Sequence, residues 1–170
     1  MPLGFFDKKK AQAPVASTSA HERDIRGAQF TIGRHSVTVE KKLAEGGFAI
    51  VYLVRCNKSN RLFALKRQFV NDKKQLEACN REIRIIEMLS SHKNIVSYVD
   101  SSIQQVEEGV HECMLLTQYY RSSVLGLMND RLMKRRCLSV GEVLSIFCDM
   151  CEAVSRLHHS QTPVLHRDLK

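Results

Sequence analysis

Three prolines and eight glycines among 170 residues are too few for a collagen-like or Pro/Gly-rich low-complexity chain. No apolar run approaches the roughly 18–20 residues that a membrane-spanning helix requires. Met1 to Lys10 holds no apolar signal-peptide core, and the Met-Pro start lacks the glycine that myristoylation needs. No internal repeat is visible at any period, which excludes a repeat architecture. Tight basic clusters are also scarce. Only Lys8-Lys9-Lys10 and Lys134-Arg135-Arg136 qualify, and neither is interleaved with aromatics as a stacking platform requires. The net charge of +8 is therefore read as a solvated surface, and no nucleic-acid partner is expected.

What remains is ordinary for a soluble globular protein: 44% hydrophobic and 26% charged residues, in a length that suits roughly one domain. Six cysteines fall mostly inside apolar segments, where they are expected to stay reduced, and the chain is read as cytosolic. From Lys8 to about Gly27 the sequence is small, polar and aperiodic. Residues 1–29 are therefore expected to form a disordered tail, because they cannot bury enough apolar surface to offset the entropy of ordering. Leu3, Phe5 and Phe6 beside three lysines are compatible with a weak membrane or partner contact, or with a plain solvated terminus.

Order is expected from near Phe30. Val37 to Leu43 alternates like a strand, Ala49 to Arg55 is β-branched and aromatic, and Arg61 to Arg67 follows a turn cluster at Asn57 to Asn60. Three strands in succession predict an antiparallel meander. Asp72 with Gln75 forms a capping-box pattern before a helix whose apolar face carries Leu76, Cys79, Ile83 and Ile86. Two further strands are predicted over Ile95 to Ile103 and Cys113 to Tyr119, with a polar loop from Gln104 to Glu112 between them. A short helix is expected near Val124 to Met133. Ser139 and Glu142 then cap a long helix striped by Val143, Phe147, Met150, Val154 and Leu157, ended by Thr162-Pro163.

Three places along this chain carry chemistry. The turn between the first two strands of the meander is Leu43-Ala44-Glu45-Gly46-Gly47-Phe48-Ala49-Ile50-Val51. Small residues there let backbone N–H groups approach phosphate oxygens without an intervening Cβ, although a Gly-Gly turn is commonly no more than a hairpin. Lys66 sits inside an otherwise apolar strand. A lysine there costs desolvation unless an anion meets it or the side chain reaches out to water along the strand. Glu82 lies one position before Ile83, at the border of the helix's apolar stripe, from where it can turn inward to pair with Lys66. Near the C-terminus, His166-Arg167-Asp168 follows an apolar pair; its aspartate can accept a hydroxyl proton and its arginine can anchor a phosphate or a loop.

Glycine-bearing hairpin, strand lysine, helix glutamate and HRDLK stand in the order and spacing of a eukaryotic protein kinase, over roughly residues 37–170. The stretches LAEGGFAIVYLV, ALKRQFVND, HKNIVSYVDSSI, IFCDMCEAVSRLH and TPVLHRDLK closely resemble the Numb-associated kinase family, which includes the adaptor-associated kinases and the cyclin-G-associated kinase. The loop departs from G-x-G-x-x-G: Ala44 and Ala49 replace the outer glycines and Gly46 alone keeps its place in the pattern.

The resemblance implies an α+β, protein-kinase-like fold. It would have a complete small lobe (a five-stranded antiparallel sheet with one main helix, about 30–120) and only the first helices of the large lobe (about 121–170). It implies a Ser/Thr kinase using ATP and Mg²⁺. Leu43 to Val51 would cover the phosphates and the base, with Val51 and Ala64 against the adenine. Lys66 would hold the α- and β-phosphates and Glu82 would hold Lys66. Thr117 falls at the gatekeeper position, where the family often has a bulkier residue, and Gln118, Tyr119 and Tyr120 would offer backbone hydrogen bonds to the base. Asp168 would be the catalytic base, with Lys170 near the transferred phosphate. The Mg²⁺ ligands of the pattern, an asparagine and the DFG aspartate, would fall beyond Lys170. The chain alone is therefore expected to be inactive and unstable, with much of the long helix's stripe exposed. A non-catalytic nucleotide-binding or interaction fragment is the alternative reading. A clathrin-adaptor subunit as substrate, a place in endocytic trafficking and peripheral membrane association are implied by the resemblance alone. Cys148-x-x-Cys151 lacks a second pair and sits mid-helix, so it is read as helix residues and no metal site is assigned.

Overall fold

The computed structural model describes residues 25–166 and Leu169; the expectation of a tail over residues 1–24 and the positions of Arg167, Asp168 and Lys170 lie outside them. The elements run β1 (Gln29–Ile32), β2 (His35–Glu45), β3 (Ile50–Cys56), β4 (Leu62–Val70), α1 (Lys73–Leu89), β5 (Tyr98–Glu107), β6 (Val110–Gln118), α2 (Val124–Met133) and α3 (Val140–His158). All strand pairs are antiparallel, in the order β1-β2-β3-β4-β6-β5. The meander of β2, β3 and β4 matches the sequence pattern. The path then leaves the sheet through α1 and returns at the far edge.

Two expectations need correction. The sheet has six strands where five were expected, because Gln29–Ile32 pairs with β2. Ile25 and Ala28, assigned to the tail, pack against the core, and a turn from the Ala28 N–H to the Ile25 carbonyl leads into β1. The aperiodic stretch before it and its short length hid this segment, which Phe30 and Ile32, two residues apart, anchor to the core. The second correction concerns Gln104 to Glu112. Most of this stretch is strand, and Glu108-Gly109 makes the turn, with Gly109 in the left-handed region at φ +73°. Its side chains are polar because this end of the edge strand β5 faces water, and an edge strand with charge on it resists pairing with another chain.

Strand alternation gives the sheet two distinct faces. Tyr52, Val54, Phe63, Leu65, Met114 and Leu116 lie on one, closed over by Ile32, Val37 and Val39 into a single core cluster. Leu65 and Leu116 are cross-strand partners and are fully buried. Each such side chain contributes about 2 kcal/mol of transfer free energy. Leu53, Ala64, Lys66, Gln68, Cys113, Leu115 and Thr117 occupy the opposite face. α1 lies against part of that face, with Cys79 packed on Val70 and Cys113. Its N-terminus is capped by Asp72, whose side chain accepts from the Gln75 N–H.

The two sheet edges are drawn together. Asp100 on β5 accepts from the Arg34 N–H in the turn between β1 and β2 and lies 2.9 Å from Nδ1 of His35, which starts β2. At the other end, Asn94 after α1 donates to the Asp149 carbonyl and side chain and to Glu152 on α3, and Lys93 pairs with Glu152. These contacts fasten the helical part to the loop following α1. α3 carries both halves of the predicted capping box: Ser139 accepts from the Glu142 N–H, and Glu142 accepts from the Ser139 N–H. Val143, Phe147 and Met150 of its stripe are exposed, as expected.

Candidate active site

Lys66 is placed by the register of three strands. It stands opposite Val51 of β3 and Leu115 of β6, so its side chain projects from the face that α1 covers. Glu82, on α1, meets it there. Lys66 Nζ lies 2.6 Å from Oε1 and 2.7 Å from Oε2 of Glu82, a pair held by both carboxylate oxygens. The two side chains keep 33% and 39% of their surface exposed, which leaves the ammonium open to a further anion. The sequence signal for this contact was the position of Glu82 at the margin of the apolar stripe. The helix turns that margin toward the strand lysine.

The glycine-bearing turn lies just before β3. The Gly46 N–H donates to the Ala49 carbonyl at 2.9 Å and closes the turn between β2 and β3. A Cβ on Gly47 would meet nothing within 4 Å, and one on Gly46 would make only ordinary contact with the Ala49 carbonyl at 3.6 Å. The turn itself therefore does not demand glycine at position 47. Phe48 stands 87% exposed at its tip, and Leu43, Ala44 and Glu45 are also exposed. Ile50 and Val51 begin β3 half-buried.

Ala64 lies two residues before Lys66 on the same strand face, opposite Leu53 and Thr117, and Thr117 Oγ1 donates to the Ala64 carbonyl at 3.5 Å. Thr117 thus belongs to the Lys66 face and is half-buried. The strand ends one residue later, at Gln118. The Gln118 N–H is already engaged by the Ser97 carbonyl at 2.9 Å, so that donor is spent within the fold. Tyr120 turns its hydroxyl to Ser97. The structure therefore brings Val51, Ala64, Lys66, Glu82, Leu115 and Thr117 onto one surface. Asp168 and Lys170 lie outside the described residues.

A cavity of about 970 Å³ lies elsewhere. It opens between α1 and α3, lined by Glu82, Ile86, Leu89, Met150, Val154 and Leu157 among others. Glu82 is its one link to the lysine, and none of Leu43 to Val51, Ala64 or Thr117 borders it. It is the space left by the exposed stripe of α3.

Three features escaped the sequence reading. Arg67, on the core side of β4, stacks on the Phe30 ring at 4.9 Å and the Phe69 ring at 4.8 Å, and its Nε donates to buried Glu112 at 2.5 Å. Asp100 ties the sheet edges. The third is Gln68, Cys79 and Cys113, which meet under α1: Gln68 Nε2 donates to the Cys79 sulfur, and Cys79 and Cys113 share one buried cluster. Alternation and helical spacing would have found this last cluster, since Gln68 follows Lys66 by two and Cys79 precedes Glu82 by three. The expectation that the cysteines sit mostly in apolar surroundings holds for Cys56, Cys79 and Cys113. Cys137, Cys148 and Cys151 are exposed, and all six are free thiols. Periodicity misled here because α3 leaves so much of its surface uncovered. Among the described residues, no group of three or more His, Cys, Asp or Glu side chains is placed to hold a metal ion.

A curled antiparallel sheet with one helix across it, a glycine-bearing hairpin and a lysine paired to that helix's glutamate together define the small lobe of a protein kinase. The chain belongs to the protein kinase domain family, whose pattern matches residues 37–170. It is 45% identical over its whole length to serine/threonine-protein kinase sel-5 of Caenorhabditis elegans. Over 97% of its length it is 37% identical to serine/threonine-protein kinase ppk30 of Schizosaccharomyces pombe. The chain spans 17% of the length of each of these relatives.

Proposed function

We propose that this segment is the nucleotide-binding part of a Ser/Thr protein kinase that transfers the ATP γ-phosphate to a protein hydroxyl. The observation that carries the reading is the two-oxygen ion pair between Lys66 and Glu82 on an open strand face. An ammonium held from one side and open on another can take the α- and β-phosphates of a nucleotide while Glu82 keeps it in place. The glycines add to this. The fold makes no steric demand for glycine at position 47, so its small size serves whatever approaches the backbone, and a phosphate fits that need.

In this reading Leu43 to Val51 form the cover over the phosphates and base. Val51, Ala64 and Thr117 make the wall against the adenine, with Gln118 to Tyr120 at its edge. Asp168 takes the hydroxyl proton and Lys170 stands near the transferred phosphate. Mg²⁺, when bound, neutralises charge on the phosphates. The family resemblance of the quoted motifs supports a narrower assignment to the Numb-associated group. With it come a clathrin-adaptor subunit phosphorylated on threonine and work in the cytoplasm at clathrin-coated membranes.

The test is nucleotide binding by titration calorimetry with ATP and Mg²⁺, comparing the chain with Lys66→Met. Binding that falls at least tenfold in the variant supports the reading. Equal affinity in both sinks it. Phosphorylation of adaptor subunits by a protein that carries this chain together with the Mg²⁺ ligands, followed by phosphoamino-acid analysis, tests the narrower assignment.

A further inference from the structure

The contact between α1 and the sheet has two adjacent rungs. The first is Lys66–Glu82. The second joins the same helix to the same strand face through Gln68, Cys79 and Cys113, with Gln68 and Cys113 directly opposite each other in the β4–β6 register. Cys79 and Cys113 are both 4% exposed and share one cluster with Val70. A crevice of about 10 Å³ between the rungs is lined by Lys66, Gln68, Cys79, Glu82 and Cys113, among others. Two thiols thus share one buried cluster and one crevice across the interface whose geometry sets the Lys66–Glu82 pair.

We propose that Cys79 and Cys113 form a reversible disulfide that fastens α1 to β6 and holds Glu82 on Lys66. The oxidant is hydrogen peroxide, a small neutral molecule. A crevice this small admits it only when α1 lifts from the sheet. Cys79 makes the attack, because the Gln68 amide donates to its sulfur and favours negative charge there, whereas burial first, and then the neighbouring Cys79, push the Cys113 thiol up to about 12. The Cys79 sulfur bonds to one peroxide oxygen, the O–O bond breaks, and the departing hydroxide leaves as water with the thiol proton. On closing, the Cys113 sulfur attacks the Cys79 sulfur of the resulting sulfenic acid. The S–S bond forms as the S–O bond breaks, and the hydroxyl leaves as a second water with the Cys113 proton. Two thiols give two electrons to one peroxide. A dithiol reductant reverses the bond by exchange.

The position of the link gives it consequence. Cys79 lies three residues before Glu82, on the same side of α1. A covalent tie there prevents the helix from swinging out and carrying the glutamate away. The effect on phosphate binding rests on the proposed role of Lys66, whereas the disulfide itself does not.

The experiment uses the 170-residue chain carrying Cys137→Ser, Cys148→Ser and Cys151→Ser, so that the exposed thiols cannot compete. The protein is treated with hydrogen peroxide, quenched with catalase, alkylated and digested without reductant. Mass spectrometry is expected to find a Cys79–Cys113 linked peptide, two hydrogens lighter than the sum of its parts and lost on adding dithiothreitol. Amide exchange in α1 is expected to slow about tenfold on oxidation, and to stay unchanged when Cys113→Val is added. Full alkylation of both cysteines after peroxide overturns the proposal, and so does their separate conversion to sulfinic acids. A linked peptide without slower exchange in α1 overturns the claim that the bond holds the helix. If the bond forms and slows exchange while neither the oxidised nor the reduced chain binds ATP, the disulfide stands and the nucleotide reading fails.

Discussion

Gly33 and Asp100 compete for one space: a Cβ on Gly33 would lie 2.2 Å from Asp100 Oδ1. Gly33 also sits at φ +53°, in the left-handed region that favours glycine. The turn between β1 and β2 is therefore tight enough to let the Asp100 carboxylate reach the Arg34 N–H and the His35 ring. Gly33→Ala is expected to cost about 3 kcal/mol, from backbone strain and the clash together. Urea unfolding of Gly33→Ala, Asp100→Ala and the double variant checks the cause. Removing the carboxylate relieves the clash, so the double variant should be more stable than the sum of the single losses implies. Simple additivity would show that the two residues do not meet.

Asp100 also makes the stability depend on acid. Burial alone would raise its pKa, but hydrogen bonds from the Arg34 N–H, the His35 ring and the Ser101 N–H together outweigh burial and lower it. A carboxylate with a lowered folded-state pKa contributes stability above its unfolded value, about 3.9, and loses it as pH falls through the folded value. Unfolding free energy should therefore drop more steeply below about pH 4 in the wild type than in Asp100→Asn. Denaturant midpoints between about pH 3 and pH 6 measure the difference, and parallel curves would exclude Asp100 as the titrating group.

Arg67 is the partner of a buried carboxylate. Glu112 is 4% exposed and takes both the Arg67 Nε and the Gln104 amide. Removing the guanidinium leaves that charge without its counterion and also removes the stack between Phe30 and Phe69. Arg67→Met is expected to cost about 3 kcal/mol. Arg67→Met with Glu112→Leu should recover much of it, because the unpaired charge is gone. Thermal melts of the three chains decide this, and a double variant no better than the single would show that stacking carries the loss.

Local chemistry was legible in the sequence wherever a short pattern has one physical reading. The meander, α1, α2 and α3 follow from alternation, helical spacing and the pair Ser139 and Glu142, and Lys66 found Glu82 through the margin of one helix stripe. The first strand is hard to read because Gln29–Ile32 has only four residues and follows an aperiodic stretch, although Phe30 and Ile32 alternate with polar neighbours. The end of β5 and the start of β6 are hidden for a different reason: an edge strand facing water is polar, and polar residues around Gly109 read as loop. Arg67–Glu112 and Asp100–Gly33 join positions distant in sequence. No local rule predicts such pairs, which follow only once the strand register is known.

The Ser139 cap offers a separable test of the helical part. Its side chain accepts from the Glu142 N–H at 3.2 Å, while Glu142 accepts from the Ser139 N–H at 2.8 Å. Ser139→Ala removes the first bond and should cost about 1 kcal/mol. Ser139→Thr keeps the hydroxyl that accepts from the Glu142 N–H and donates to the Glu142 carboxylate, and should recover most of it. Amide exchange in the first turn of α3 reports the change, with no effect expected in α1. Loss of protection in both helices would mean that the cap supports more than its own end.

Glu82 separates binding from folding. Its pair with Lys66 is about one-third exposed on each side, so solvent screens it and little stability depends on it. Glu82→Gln keeps the size and one acceptor oxygen but removes the charge that holds the ammonium from behind. The melting temperature should change by no more than about 2 °C, consistent with a loss under about 0.5 kcal/mol. ATP affinity should fall several-fold, because the Lys66 side chain regains rotamer freedom that must be lost again on each binding event. Glu82→Asp shortens the reach and should fall between the wild type and Glu82→Gln. Calorimetric titration beside thermal melts reads both quantities on the same samples. A large fall in melting temperature with unchanged affinity would make Glu82 a structural residue and remove it from the phosphate site.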